Sequence, residues 1–167
     1  AQTQNNTLNS SINYSKTFVG TPFNMAVTAS HQQNTNTESI TMTLPSLTLN
    51  MNRIYPFVGK GGIKKTPIQK MGFNYNMQGQ YLINTTDDEF FTAKMFQTAK
   101  SGVQHKTSTN TNIKAFKYFT LSPSANLTES WNFNHIQKEY DATNNVVVTD
   151  TLTGFKTFRT YNLGVSL

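Results

Sequence analysis

Large apolar residues stand at alternate positions through Met71–Ile83 (MGFNYNMQGQYLI): Met71, Phe73, Tyr75, Met77, Tyr81 and Ile83, with Gly72, Asn74, Asn76, Gln78 and Gln80 between them. A period of two predicts a β-strand with one apolar and one polar face. The run far exceeds the usual strand of about 5–6 residues. Residues 117–135 (KYFTLSPSANLTESWNFNH) repeat the pattern. Phe119, Leu121, Pro123, Ala125, Leu127, Trp131 and Phe133 share one face. Thr120, Ser122, Ser124, Asn126, Thr128, Ser130, Asn132 and Asn134 share the other, and Glu129 is the one defect in the apolar set.

The same alternation predicts antiparallel strands at 22–33, 39–52, 69–83, 103–115, 117–135 and 155–167, with weaker signals at 11–20 and 146–152. The first ten residues are polar and aperiodic. QNTNTE (33–38) and Asp141–Asn145 are turn material, and RIYPFVGKGGIKKTP (53–67) is a long connection. In SITMTLPSLTLNMN (39–52) the apolar phase flips: Ile40, Met42 and Leu44 are even, whereas Leu47, Leu49 and Met51 are odd. A strand that keeps its apolar face on one side can absorb this extra residue near Pro45 only with a bulge or a strand break. Pro45 also withholds a ladder donor. Thr86-Asp87-Asp88-Glu89 fits a capping box, and Phe91, Met95 and Ala99 recur at helical spacing. This predicts a short helix near 88–99, with a strand as the alternative.

Strand length bears on the choice between two all-β classes. Phe119 to Trp131 covers roughly 40 Å at about 3.3 Å per residue, and tilted by about 40° it spans about 30 Å. An outer-membrane barrel has an apolar band about 25 Å tall between aromatic girdles. The expected fold is therefore an antiparallel transmembrane β-barrel, with residues 1–167 as a single region of a larger barrel domain. In that fold Phe73, Tyr75, Met77, Leu121 and Leu127 face lipid, and Asn74, Asn76, Asn126 and Asn132 face the lumen. Phe119, with Tyr118, and Trp131, with Phe133, mark the two interfaces. A soluble sandwich explains the alternation but not three runs of this length. Alternation in 155–167 reaches Leu167 without a turn signal, which suggests a piece of a longer chain.

Composition sharpens this picture. The chain has 20 Asn and 26 Thr, while charged residues are 13%. Its surface is wetted by amides and hydroxyls, as suits a water-filled lumen or a secreted lectin-like domain. The net charge of +6 is scattered apart from GKGGIKK (59–65). A nucleic-acid binder needs a basic stripe with interleaved aromatics, which is absent. No apolar run reaches the length of a transmembrane helix, AQTQNNTLNS lacks the features of a signal peptide, and there is no Cys.

Candidate chemistry adds little. His31, His105 and His135 have no second ligand at metal spacing and read as lone polar-face histidines. Asp87-Asp88-Glu89 lacks calcium-loop spacing and fits a helix start. Gly59-Lys60-Gly61-Gly62 is not followed as a phosphate loop requires. Lys60, Lys64 and Lys65 form a solvated turn or touch anionic lipid heads. No nucleophile elbow or acid pair is present, so the expected protein is non-enzymatic and carries no cofactor or metal.

Three segments carry a family resemblance: ASHQQNTNTESITMTLPSLTLNMNRIYPF (29–57), SGVQHKTSTNTNIKAFKYFTLSPSANLTESW (101–131) and GFKTFRTYNLGVSL (154–167). They resemble the Bacteroidetes branch of LptD, the lipopolysaccharide-assembly outer-membrane protein family, and LPSLTLNMNRIYPF is the most specific element. The resemblance implies a large C-terminal barrel behind an N-terminal periplasmic β-domain. It implies lipopolysaccharide arriving from a periplasmic bridge, lateral release into the outer leaflet, and an LptE-like lipoprotein in the lumen. Lipopolysaccharide, outer-membrane lipids, the lipoprotein and the bridge are thus the implied partners. This chain would supply roughly eight to ten strands. Pro45 and Pro123 are candidate sites of strand weakening, against ordinary bulge or edge accommodation. Another large outer-membrane barrel (for protein export or nutrient uptake) and a secreted glycan-binding sandwich are the alternatives.

Overall fold

The computed structural model describes residues 6–59, 61–115, 118–142 and 145–167. Eight strands run through them: β1 Thr7–Thr17, β2 Phe23–Asn34, β3 Ser39–Ile54, β4 Gly72–Thr86, β5 Lys100–Asn110, β6 Ile113–Ala115, β7 Phe119–Asp141 and β8 Val146–Ser166. A helix, α1, covers Ala93–Gln97. All pairings are antiparallel, in the order β1–β2–β3–β4–β5–β7–β8. β6 continues β5 along β7: Gly102↔Asn132 and Ile113↔Leu121 keep one register, and Thr111 N donates to Pro123 O at 3.2 Å between them. The sheet is a single layer and is not closed, so the antiparallel all-β class is right and the architecture is that of a barrel segment. Among the described residues no second sheet covers it, as a sandwich would require.

The phase flip at Pro45 is a bulge. Register shifts between Thr28↔Ser46 and Ser30↔Thr43 on one side, and between Thr43↔Leu82 and Ser46↔Gln80 on the other. Leu44 and Pro45, joined by a cis peptide, therefore stand together opposite Ala29 and Tyr81. Ile40 and Met42 pair with Thr85 and Ile83, while Leu47, Leu49 and Met51 pair with Gly79, Met77 and Tyr75. All of these β4 residues are odd, so the bulge absorbs the extra residue and keeps the apolar set on one face.

Several boundaries differ from the sequence expectation. β1 begins at Thr7, inside the aperiodic stretch, because Thr7–Ser10 pair with Asn34–His31 of β2. The two strands expected at 146–152 and 155–167 are one, with Gly154 and Phe155 both opposite Phe133 between Asn132↔Lys156 and Asn134↔Thr153. β7 likewise continues to Asp141, which leaves Trp131 and Phe133 in mid-strand. Beyond Asn132 the β7–β8 hairpin has no further ladder partner among the described residues and runs about 23 Å past the start of β5, at about 3.3 Å per residue.

The expected helix at 88–99 is shorter. A 3₁₀ turn at Asp87–Glu89 and the five-residue α1 are separated by Phe90, Phe91 and Thr92, of which Phe91 sits at φ 59°. The capping box does not form: the Thr86 hydroxyl bonds the Asp88 carboxylate instead of a backbone N–H. The helical spacing still orders packing. Met95 and Ala99 are 1% and 2% exposed against Ile40, Met42 and Ile83. The β4–β5 connection thus folds over the apolar face and makes the one compact core among the described residues.

Candidate functional site

Cross-strand partners project from the same side of a sheet, so register assigns every side chain to a face. Phe73, Tyr75, Met77, Leu121 and Leu127 all fall on the apolar face; Met77 lies between Leu49 and His105, and Leu127 between Thr107 and Tyr161. Asn74, Asn76, Asn126 and Asn132 fall on the opposite face, where Asn74, Ser108, Asn126 and Asn162 form one row.

The polar face is knitted by side-chain amides. Asn50 Nδ2 donates to Asn24 Oδ1 at 3.1 Å, and Asn76 Nδ2 donates to Asn50 Oδ1. Asn24 Nδ2 reaches Asn52 Oδ1 at 3.4 Å, Asn74 Nδ2 reaches Ser108 Oγ at 3.3 Å, and Gln104 Nε2 reaches Ser130 Oγ at 3.2 Å. The Asn24–Asn50–Asn76 row runs on to Lys106, the β5 partner of Asn76. An amide carries two N–H donors and a carbonyl acceptor, so each ladder member keeps capacity for hydroxyl-rich partners. Two hollows open on this face. One, of about 750 Å³, is lined by Gln78, Gln80, Gln104, Ser130, Asn132, Lys100 and Lys156. The other, of about 520 Å³, is lined by Asn24, Asn50, Asn74, Asn76, Lys106 and Arg53. Gly102 sits beneath the first, where an added Cβ would lie 3.1 Å from Trp131 O.

A polar island interrupts the apolar face. The Arg159 guanidinium donates from Nε to Glu129 Oε2 at 3.2 Å and from Nη2 to Glu129 Oε1 at 3.0 Å. Trp131 Nε1 adds a third bond to Glu129 Oε1 at 3.0 Å. One row away Tyr75 Oη and His105 Nδ1 lie 2.7 Å apart, and the His105 ring packs on Trp131 with centroids 4.2 Å apart. Glu129, the defect in the sequence pattern, is therefore paired, and its partner occupies the same phase of β8. A basic residue on the apolar phase of 155–167 is the sequence signal for this pair. The histidines also correct the expectation of polar-face positions: His31 pairs with Met42 and His105 with Met77, both on the apolar face. His135 lies against the Gly154 bulge and lines the larger hollow.

Outside the strands, the Asp88 carboxyl is held below its ordinary value by the Thr86 hydroxyl and by backbone N–H groups. Lys94 is raised by its bond to Glu89. In the β3–β4 connection Lys64 Nζ lies 3.1 Å from the Tyr55 ring centre, so this lysine is stacked and not simply solvated. Lys60 and Lys117 lie outside the described residues. Among the described residues no three His, Asp or Glu gather as metal ligands, and no helix is long and apolar enough to cross a membrane.

One antiparallel meander with principal strands of 11 to 23 residues, apolar on one face and amide-lined and hollowed on the other, is the architecture of an outer-membrane β-barrel wall. The chain belongs to the LptD protein family, whose model matches residues 1–167. No curated protein and no solved structure matches it. The family acts in transport and assembly, is not a known enzyme family, and gives this chain a role in handling lipopolysaccharide.

Proposed function

We propose that residues 1–167 form one region of an outer-membrane barrel wall that moves lipopolysaccharide to the cell surface and inserts it into the outer leaflet. The observation that carries this is the opposition of faces: both hollows lie on the amide face, and the exposed aliphatic and aromatic side chains of β8 (Leu163, Val165, Tyr161) lie on the other. On this basis Phe73, Tyr75, Met77, Leu121 and Leu127 meet acyl chains, and Asn74, Asn76, Asn126 and Asn132 meet water and sugar. Phe119 contributes an interface aromatic at the start of β7, whereas Trp131 and Phe133 stand in mid-strand, inside the wall. Pro45 and Pro123 are weak points of the wall; at Pro123 the bond from Thr111 N cannot be reciprocated by a proline nitrogen. An LptE-like lipoprotein in the lumen, a periplasmic bridge and membership of the Bacteroidetes branch follow from the resemblance around LPSLTLNMNRIYPF.

The test is spin labelling of the full-length protein in native membranes. Labels at Leu127 and Met77 should relax faster with membrane-dissolved oxygen, and labels at Asn76 and Asn126 with water-soluble nickel. Reversed accessibilities refute the face assignment. Depleting the protein should remove antibody-detectable lipopolysaccharide from intact cells; unchanged surface lipopolysaccharide alongside lost nutrient uptake or protein export would assign the wall to another cargo.

A further inference from the structure

The two faces divide charge as well as polarity. Within the sheet the polar face carries Lys100, Lys106, Lys114 and Lys156, with Arg53 at its edge, and no acidic residue. The acids lie elsewhere. Glu38 is in a turn, and Asp87, Asp88 and Glu89 are in the β4–β5 connection. Glu129 is on the apolar face, and Glu139, Asp141 and Asp150 belong to the projecting β7–β8 hairpin. Ion pairing among the described residues is confined to Lys94–Glu89 and Arg159–Glu129, so none of Lys100, Lys106 and Lys156 is neutralised by a described carboxylate. They are not scattered either: Lys100 and Lys156 share the larger hollow, and Lys106 and Arg53 share the smaller.

Amide ladders offer neutral donors and acceptors, which suit sugar hydroxyls and discriminate little among sugars. A cation pair set among them adds selection by charge, because a lysine ammonium gives three donors to an anionic oxygen and none to an acid of its own wall. Concavity lined by one sign of charge also raises the local concentration of opposite charge. We infer that the two hollows are successive cationic stations that receive anionic substituents, phosphate or carboxylate, of a saccharide passing along the polar face. This rests on the assignment of that face to the saccharide. The stations hold weakly by construction: the lysines are solvent-exposed, so water and salt screen them, and a passing chain is released as readily as it is held.

A photo-crosslinking residue at Gln78 of the full-length protein, in cells, reports on the larger hollow, and one at Leu127 on the opposite face. Lipopolysaccharide should be captured from Gln78. Neutralising both lysines (Lys100→Gln with Lys156→Gln) should lower that capture about tenfold, roughly threefold for each wetted charge. Lys100→Arg with Lys156→Arg keeps the charge and should restore it, which separates charge from folding. Capture from Leu127 alone overturns the face assignment. Capture from Gln78 that is unchanged by charge removal overturns the stations while leaving the face assignment intact. Purified full-length protein should also prefer trigalacturonate or a phosphorylated mannotriose to neutral galactotriose at low salt. Whichever anionic probe prevails identifies the group, and parity with the neutral probe refutes the inference.

Discussion

Met77 and Gln78 are adjacent on β4 and project from opposite faces, which makes an arginine at each a paired measurement of what each face touches. β4 has 15 residues, so it is about 46 Å long at about 3.3 Å per step and rises about 35 Å at a tilt of about 40°. Met77 then lies about 5 Å from the middle of that rise. An arginine facing lipid near the midplane costs about 2–4 kcal/mol, falling toward the interfaces. Met77→Arg should therefore cost about 2–3 kcal/mol, or roughly 30- to 150-fold in the folding equilibrium. Gln78→Arg projects into the larger hollow and should cost less than about 0.5 kcal/mol. The assay is equilibrium refolding of the full-length protein into lipid vesicles over a denaturant series, followed by tryptophan fluorescence. A cost at Gln78 equal to or above that at Met77 would defeat the assignment of lipid to the apolar face.

Met95→Ala should cost about 2–4 kcal/mol of local stability, since Met95 is 1% exposed in the only compact core described; protease cleavage near Phe91 should rise while strand circular dichroism is unchanged. Deleting Leu44 removes the residue that the bulge absorbs and restores plain alternation through Ile40, Met42, Leu47, Leu49 and Met51, so folded yield should be largely kept, whereas deleting Asn76 from the unbulged β4 sets Phe73 and Tyr75 out of phase with Met77 and Ile83 and should collapse it. Gly102→Ala places a Cβ 3.1 Å from Trp131 O and should cost about 1–3 kcal/mol through displacement of β5 from β7, read as a lowered unfolding midpoint. Thr86→Val removes the bond that depresses the Asp88 carboxyl. A depressed acid stabilises above its unfolded value and loses that contribution as pH falls through its folded value. Hydrogen exchange at Phe90 should therefore vary less between neutral and acidic pH in the variant than in the parent.

Much of this wall is legible in the sequence, because a strand exposed to two different media repeats every second residue and needs no knowledge of its neighbours. The sides of Phe73, Asn74, Leu127 and Asn126, and the extra residue at Pro45, follow from that local rule. Other features depend on what stands across the ladder. β7 runs to Asp141 and β8 is one strand because each satisfies the other's backbone beyond the point where side-chain alternation fades. The 88–99 segment has helical spacing, yet its helix is cut to a 3₁₀ turn and α1: Phe91 turns left-handed, and Met95 and Ala99 close on Ile40, Met42 and Ile83. Glu129 looked like an error in the pattern until register set Arg159 beside it. The basic residues appeared scattered in sequence and became two pairs only when Lys100 and Lys156, far apart along the chain, were brought to one hollow. Periodicity is a property of one strand and can be read from it, whereas partnership and charge clustering are properties of register, set between strands.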